Sequence, residues 1–456
     1  MQAKIVDENG VVAKVTRKVI PYLFLCYIVN YLDRFNVSYA ALEMKGDLGF
    51  SDVVYGLGAS MFFVGYVFFE IPSNLIMQRV GARIWIARIM ITWGMVSICT
   101  MFVKTPAVFY FVRFLLGVAE AGFFPGMIVY LTYWIPARER ARAFALFLTS
   151  TSLAGVFGGP ISGALLEMGG THGLKGWQWL FLVEGIPAVA LGVVTLIYLA
   201  DKPEQAAWLS PAERDWLSKK MAQEDEEKRL SHRYTLLQAL THRRVWQLCL
   251  LYFSIIISFY GVAFWLPQIV KNFSHLSNAG AALISAIPYL AASISMVLIA
   301  NHSDKTKERH WHVAMPAFGG GLGLALSAYF LQHRQPVAAF LSLCLAAAGI
   351  WSTLGPFWSL PTAFLSGRAA AGGIALINSV GNIGGFVGPY VVGFVKQATN
   401  SFTSGLLLLS STLFAAGFIA LNAGRLLEKY RSSFDTACPE QRSRRARDKR
   451  RKLRND

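Results

Sequence analysis

Apolar residues along this chain gather into runs of about twenty, too long for strands and set apart by short polar stretches. The runs fall at 18–41, 54–77, 84–103, 106–135, 142–167, 177–200, 244–269, 279–301, 313–331, 337–364, 370–395 and 403–426. Each is long enough to cross a hydrocarbon core as a helix, which takes about 20 residues. The pattern predicts an all-α membrane protein with twelve transmembrane helices in two six-helix bundles, 18–200 and 244–427. A polar linker, 201–243, joins them; 1–17 and 428–456 flank them. Within the linker, Ser210-Pro211-Ala212-Glu213 reads as an N-cap, a proline at N1 and a capping-box glutamate. A short amphipathic helix should follow, with Trp216, Leu217 and Met221 on one face.

Charge assigns the two sides. Lys14, Arg17, Lys18, Arg79, Arg83, Arg138, Arg140, Arg142, the basic linker residues, Lys305, Lys307, Arg309, Arg368 and the tail fall on one side. The other side carries a single basic residue per loop: Lys45, Lys104, Lys175, Lys271, Arg334 and Lys396. The positive-inside rule then places both termini and the linker in the cytoplasm. This asymmetry accounts for most of the net charge of +17 without nucleic acid as a partner. The tail, 428–456, with its run of basic residues from Arg442 to Arg454, reads as disordered and touching anionic lipid.

Composition agrees, with 54% hydrophobic and only 15% charged residues, against roughly 25% charged in soluble domains. No cleavable leader is visible, because Met1 to Asn9 is polar and carries Asp7 and Glu8. The five cysteines are scattered without metal-site spacing, and all eight histidines lie in or beside loops. No metal and no cofactor is expected. The nucleophile, phosphate and zinc motifs of enzymes are missing from the sequence.

The halves repeat. Asn74 to Arg83, with Arg79, Gly81 and Arg83, follows span 2, and Ala300 to Arg309, with Asp304 and Lys305, follows span 8. Gly155 to Pro160 in span 5 is echoed by Gly384 to Pro389 in span 11, where small residues and proline allow close helix approach and bending. Two repeated halves are the logic of a rocking carrier with its site at the midplane.

Charges inside the spans mark that site. Asp33 and Arg34 lie side by side in an apolar run, at a cost on the order of 2.5–3.5 kcal/mol each at mid-membrane. Arg34 falls about 24 Å from the cytoplasmic start of span 1, and Arg113 about 13 Å from the outer end of span 4. The two arginines are therefore expected in the outer half of the bilayer, facing one cavity, as forks for a carboxylate. For Arg113 the alternative is a structural arginine bonded to neighbouring helices. Glu120, seven residues on, shares its helix face. It reads as a proton switch, or alternatively as a permanently paired acid. Glu70, ahead of Pro72, reads as gating or structural, and Glu184, near Trp177 and Trp179, as interfacial. Tyr66, Tyr260, Trp265, Gln268, Trp358, Asn378 and Asn382 complete the expected pocket.

At these residues the sequence resembles the major facilitator superfamily. The strings Asn30 to Asn36, Gly65 to Asn74, Gly117 to Gly126, Trp358 to Pro361 and Ile377 to Gly385 are similar to its anion:cation symporter branch of tartrate-, phthalate- and hydroxyphenylacetate-type permeases. One departure is Gln78, where the loop motif usually carries Asp. The resemblance implies proton carriage by Asp33 and Glu120 and carboxylate binding by Arg34 and Arg113. From the residues themselves, Tyr66, Trp358, Asn378 and Asn382 are expected to contact substrate, and Glu70, Arg79, Gly81, Arg83, Asp304, Lys305, Pro160 and Pro389 to be structural or gating. The partners implied are a small organic anion, protons and the bilayer, for a monomer in the inner (plasma) membrane. Import by symport is the leading expectation. Export of an aromatic acid or drug by antiport, and a transport-dead sensor, are the alternatives.

Overall fold

The computed structural model describes residues 7–230, 241–274, 276–362 and 367–437. Those residues are helical throughout apart from turns and short 3-10 segments. In the first half run α1 (Glu8–Leu48), α2 (Asp52–Val80), α3 (Ala82–Cys99), α4 (Pro106–Glu120), α5 (Phe123–Trp134), α6 (Ala137–Leu166) and α7 (Gly176–Tyr198). The linker carries α8 (Pro211–Leu230). In the second half run α9 (Arg243–Ser274), α10 (Asn278–Ile284), α11 (Ala286–Thr306), α12 (His310–Gln332), α13 (Pro336–Ser352), α14 (Leu354–Thr362), α15 (Gly367–Thr399) and α16 (Phe402–Ala437). Ten segments among the described residues are long and apolar enough to cross a membrane. The other two predicted spans correspond to α1 and α6. Both bury polar residues, Asn30, Asp33, Arg34 and Asn36 in α1 and Ser150, Thr151 and Ser152 in α6. Large apolar side chains such as Phe68, Ile197 and Val337 point outward, as a lipid-facing surface requires.

Three predicted spans are broken rods. Span 4 is α4 and α5, parted at Gly122, whose φ of 85° an L residue rarely adopts. Span 8 is α10 and α11, and span 10 is α13 and α14. The ends also differ from expectation. α1 has 41 residues, about 62 Å of helix, so residues 8–17 belong to it and are no loose segment. α16 likewise carries residues 428–437 as helix, against the expected disorder there. The remaining basic tail lies outside the described residues, and so do the side chains of Arg138, Arg140, Arg142 and Arg368.

The linker capping box is present: Ser210 N donates to Glu213 Oε2 at 2.7 Å, and Glu213 N to Ser210 Oγ at 3.3 Å. Leu217 is fully buried, with Trp216 and Met221 packed beside it. Lys14 of α1 reaches Glu213 at 2.9 Å and ties α8 to the first bundle. That lysine, with the Ser210 amide, holds the Glu213 carboxyl below the usual carboxylate range.

After α2, Gly81 has φ 99°, and a Cβ there would meet Asp201 Oδ1 at 2.9 Å. Asp201 accepts from Arg83 N at 2.7 Å. A carboxylate from the end of α7 thus stands at the α3 N-terminus, where Gln78 offers none. In the second copy Asp304 pairs with Arg309 at 2.7 Å. Arg79 and Lys305 are exposed.

The bundles meet along two seams. In the first, α2 runs antiparallel to α15. Val53 N donates to Gln397 Oε1 at 3.0 Å, Lys396 Nζ to Asp52 at 2.9 Å, and Ser60 Oγ to the Phe386 carbonyl at 2.6 Å. In the second, α6 lies against α10 and α11, and a Cβ on Gly159 would come within 2.5 Å of the Ala282 carbonyl. Pro160 turns outward, while the Pro389 carbonyl accepts from Trp265 Nε1 at 3.0 Å.

Candidate functional site

Between the two seams lies a small internal space of about 40 Å³. Residues of both halves line it. From the first come Tyr27, Tyr31 and Arg34 of α1, Tyr66 of α2 and Thr151 of α6. From the second come Tyr252, Phe259 and Tyr260 of α9, Trp358 of α14, and Asn378 and Asn382 of α15. Arg34 is the one charged residue among the lining residues.

Helix geometry explains who faces the space. Tyr27, Tyr31 and Arg34 follow i, i+4, i+7 spacing and share a face of α1. Tyr252, Ile256 and Phe259 repeat the spacing on α9, with Tyr260 next to Phe259. Asp33 is one residue from Arg34 and therefore about 100° around the helix. It looks away from the space, into α3. There it accepts hydrogen bonds from Trp93 Nε1 at 2.9 Å, Ser97 Oγ at 2.7 Å and Asn36 Nδ2 at 3.2 Å.

Arg34 is the hub. Its Nη2 is paired with Glu120 Oε1, and its Nη1 donates to Tyr260 Oη of the opposite half at 2.9 Å. Its Nε has no partner. The guanidinium lies 4.9 Å from the Tyr31 ring centre, 5.0 Å from Phe62 and 5.5 Å from Tyr66, an aromatic cage that favours a cation. Glu120 ends α4, directly before the break at Gly122. It is fully buried, and its Oε2 is unpartnered. The end of α4 thus places a carboxylate with a spare oxygen beside Arg34.

Arg113 behaves otherwise. It is fully buried, and none of its three guanidinium nitrogens has a hydrogen-bond partner. It stands 5.4 Å from the Phe62 ring centre and 5.9 Å from Phe264. It interacts electrostatically with Asp33 and Arg34 without bonding to either. The expectation of two arginines facing one cavity is thus corrected: the Phe62 ring lies beside both, and only Arg34 reaches the space.

Glu70 accepts from Asn378 Nδ2 across the halves, and its Oε2 is free. Asn378 and Asn382, on successive turns of α15, both face the space. Glu184 is 5% exposed and accepts from Ser162 Oγ at 2.7 Å. It is a core residue and not interfacial, because α6 covers it. Trp265 and Gln268 are also displaced from the expected pocket. Trp265 bonds to Pro389, and Gln268 accepts from Lys45 Nζ at 3.0 Å near the end of α1. Tyr27, Tyr31, Thr151 and Tyr252 were not anticipated. For the tyrosines the signal was present, in their helical spacing to Arg34 and Tyr260. Among the described residues no cluster of His, Cys, Asp or Glu could hold a metal ion.

Residues 23–389 match the family model described as Major Facilitator Superfamily. The chain belongs to that superfamily. It is accordingly a multi-pass membrane transporter and not an enzyme. A protein of Agrobacterium vitis named "Putative tartrate transporter" is 50% identical over 419 residues, 92% of this chain and 95% of that one. A protein of Acinetobacter baumannii named "Quinolone resistance transporter" is 40% identical over 403 residues, 88% of this chain and 92% of that one. Among solved structures, a bacterial homologue of the human lysosomal transporter Spinster, in an inward-facing and occupied conformation, superposes with a TM-score of 0.72. It covers 89% of this chain and 96% of its own at 18% identity, so the facilitator fold is what it shares.

Proposed function

We propose that the protein imports a small organic carboxylate, tartrate-like in size and charge, together with protons. The observation that carries this reading is the Arg34–Glu120 pair. Among the described residues Arg34 is the only cation lining the space, and a carboxylate of the protein already holds one of its two terminal nitrogens. A substrate carboxylate binding in the fork geometry that arginine offers must displace Glu120 or Tyr260. Protonating Glu120 removes its charge and frees Nη2, so the proton and the substrate anion are taken up together. Losing the proton restores the internal pair and expels the anion. Asp33, held by three donors on the far side of α1, is the second proton site of this reading, and Arg113 its electrostatic neighbour. Tyr66, Trp358, Asn378 and Asn382 contact the substrate's remaining polar groups. The Glu70–Asn378 tie opens as the halves part. The similarity to a protein named for tartrate transport supports the substrate class.

The orientation proposed has both termini and α8 in the cytoplasm of a bacterial inner membrane, with the chain acting as a monomer. A second reading, proton-driven export of an aromatic acid or drug, is favoured by the similarity to a quinolone resistance transporter. Uptake into proteoliposomes of labelled tartrate, phthalate, hydroxyphenylacetate and a sugar acid separates the two. Accumulation only under an inward proton gradient supports symport. Accumulation only under the reversed gradient replaces it with antiport.

A further inference from the structure

The six basic residues of the sparsely charged side are not spread evenly. Lys45 at the end of α1, Lys271 at the end of α9 and Lys396 at the end of α15 line one depression of about 290 Å³, together with Gln268 and Phe402. Two of these ammonium groups meet on a single oxygen, Asp52 Oδ1, with Lys396 at 2.9 Å and Lys45 closer still. Lys45 also donates to Gln268 Oε1 at 3.0 Å. Lys45 and Lys396 stand 5.4 and 5.3 Å from the Trp265 ring centre, and Lys396 stands 4.2 Å from that of Phe402. The Lys271 ammonium is turned onto the Leu276 carbonyl. Two cations thus hold one carboxylate, and a third lines the same depression. That carboxylate and Lys45 belong to the first half, and Lys271, Lys396 and Gln268 belong to the second. Parting the halves at this end breaks Lys396–Asp52 and Lys45–Gln268 at once, leaving Lys396 and Lys271 facing the opening with no anion.

We propose that this depression is a reception site for the incoming organic carboxylate. Lys396, flanked by Lys45 and Lys271, takes the anion at the open outer mouth, and Asp52 is the protein's own carboxylate that fills the position when the mouth shuts. The inference rests on the import reading above and on its orientation. Like-charged side chains converging on a funnel raise the local concentration of an oppositely charged ligand. The latch closes only after the anion has moved inward, because Asp52 and the substrate compete for the same ammonium.

Two measurements test it. In proteoliposomes, Lys396→Gln should raise the KM for external tartrate about five- to tenfold at low ionic strength, with maximal rate within about twofold. The difference should shrink in high salt, where the screening length falls below about 10 Å, and Lys396→Arg should restore the KM. An unchanged KM in a transporter active with tartrate overturns the site and leaves the import reading standing. The second measurement does not need transport. A cysteine replacing Ala41, 3% exposed in this closed mouth, is placed in a chain whose own cysteines are changed to serine. Asp52→Asn should speed its labelling by a membrane-impermeant maleimide severalfold. Tartrate should slow that labelling, and Lys396→Gln should remove the protection. Labelling unaffected by Asp52→Asn overturns the latch, and labelling unaffected by tartrate overturns the reception site.

Discussion

Replacing Arg34 by methionine leaves Glu120 buried in the closed core with no partner for its charge. Breaking a buried pair from one side costs about 3–5 kcal/mol, and thermal unfolding in detergent at neutral pH should report a loss of that order. Glu120→Gln keeps an acceptor for Arg34 and should fold normally. It should abolish gradient-driven accumulation while sparing exchange of labelled for unlabelled substrate across the membrane. Arg34 and Glu120 were legible in the sequence because charge inside an apolar run is rare. Their pairing was not, since spacing within α4 relates Glu120 to Arg113 and says nothing of which α1 residue packs against that face. Asp33 was legible as a buried acid, while its direction followed from the 100° step between neighbours on a helix. Trp265 and Gln268 were misplaced because aromatic and amide side chains occur on every face of α9, and residue type alone does not choose one.

Spans, their order and the repeated halves could be read from hydrophobic run length, which lipid enforces strictly. The breaks in spans 4, 8 and 10 could not, because apolar composition continues through them. The lengths of α1 and α16 also escaped, since polar helix outside the bilayer carries no hydropathy signal. Two expectations belong to this scale. Gly159→Leu pushes α6 off the Ala282 carbonyl and should arrest transport with helical content unchanged by circular dichroism. The Lys14–Glu213 contact fixes α8 to α1. Because the folded Glu213 carboxyl is held low, this tie contributes stability above the unfolded-state value. It is lost as pH falls through the lower folded value, below the usual glutamate range near 4.3. Proteolysis of α8 at Arg214 or Lys219 should therefore accelerate only in strong acid.

As a whole, the molecule is two bundles tied along one end by α2 against α15 and α6 against α10 and α11, with the space around Arg34 behind the ties. Transport requires those ties to part. Cysteines replacing Val53 and Gln397, whose backbone amide and side chain meet at 3.0 Å, should cross-link on oxidation, stop transport and release it on reduction. The central claim is that substrate and Glu120 compete for Arg34, so binding the anion takes up a proton. Isothermal titration of the purified carrier with tartrate, in buffers of different ionisation enthalpy, counts that proton directly. The account predicts proton uptake on anion binding near neutral pH, smaller by about one proton per anion in Glu120→Gln. Tight binding to the wild type with no proton uptake at any pH would contradict it.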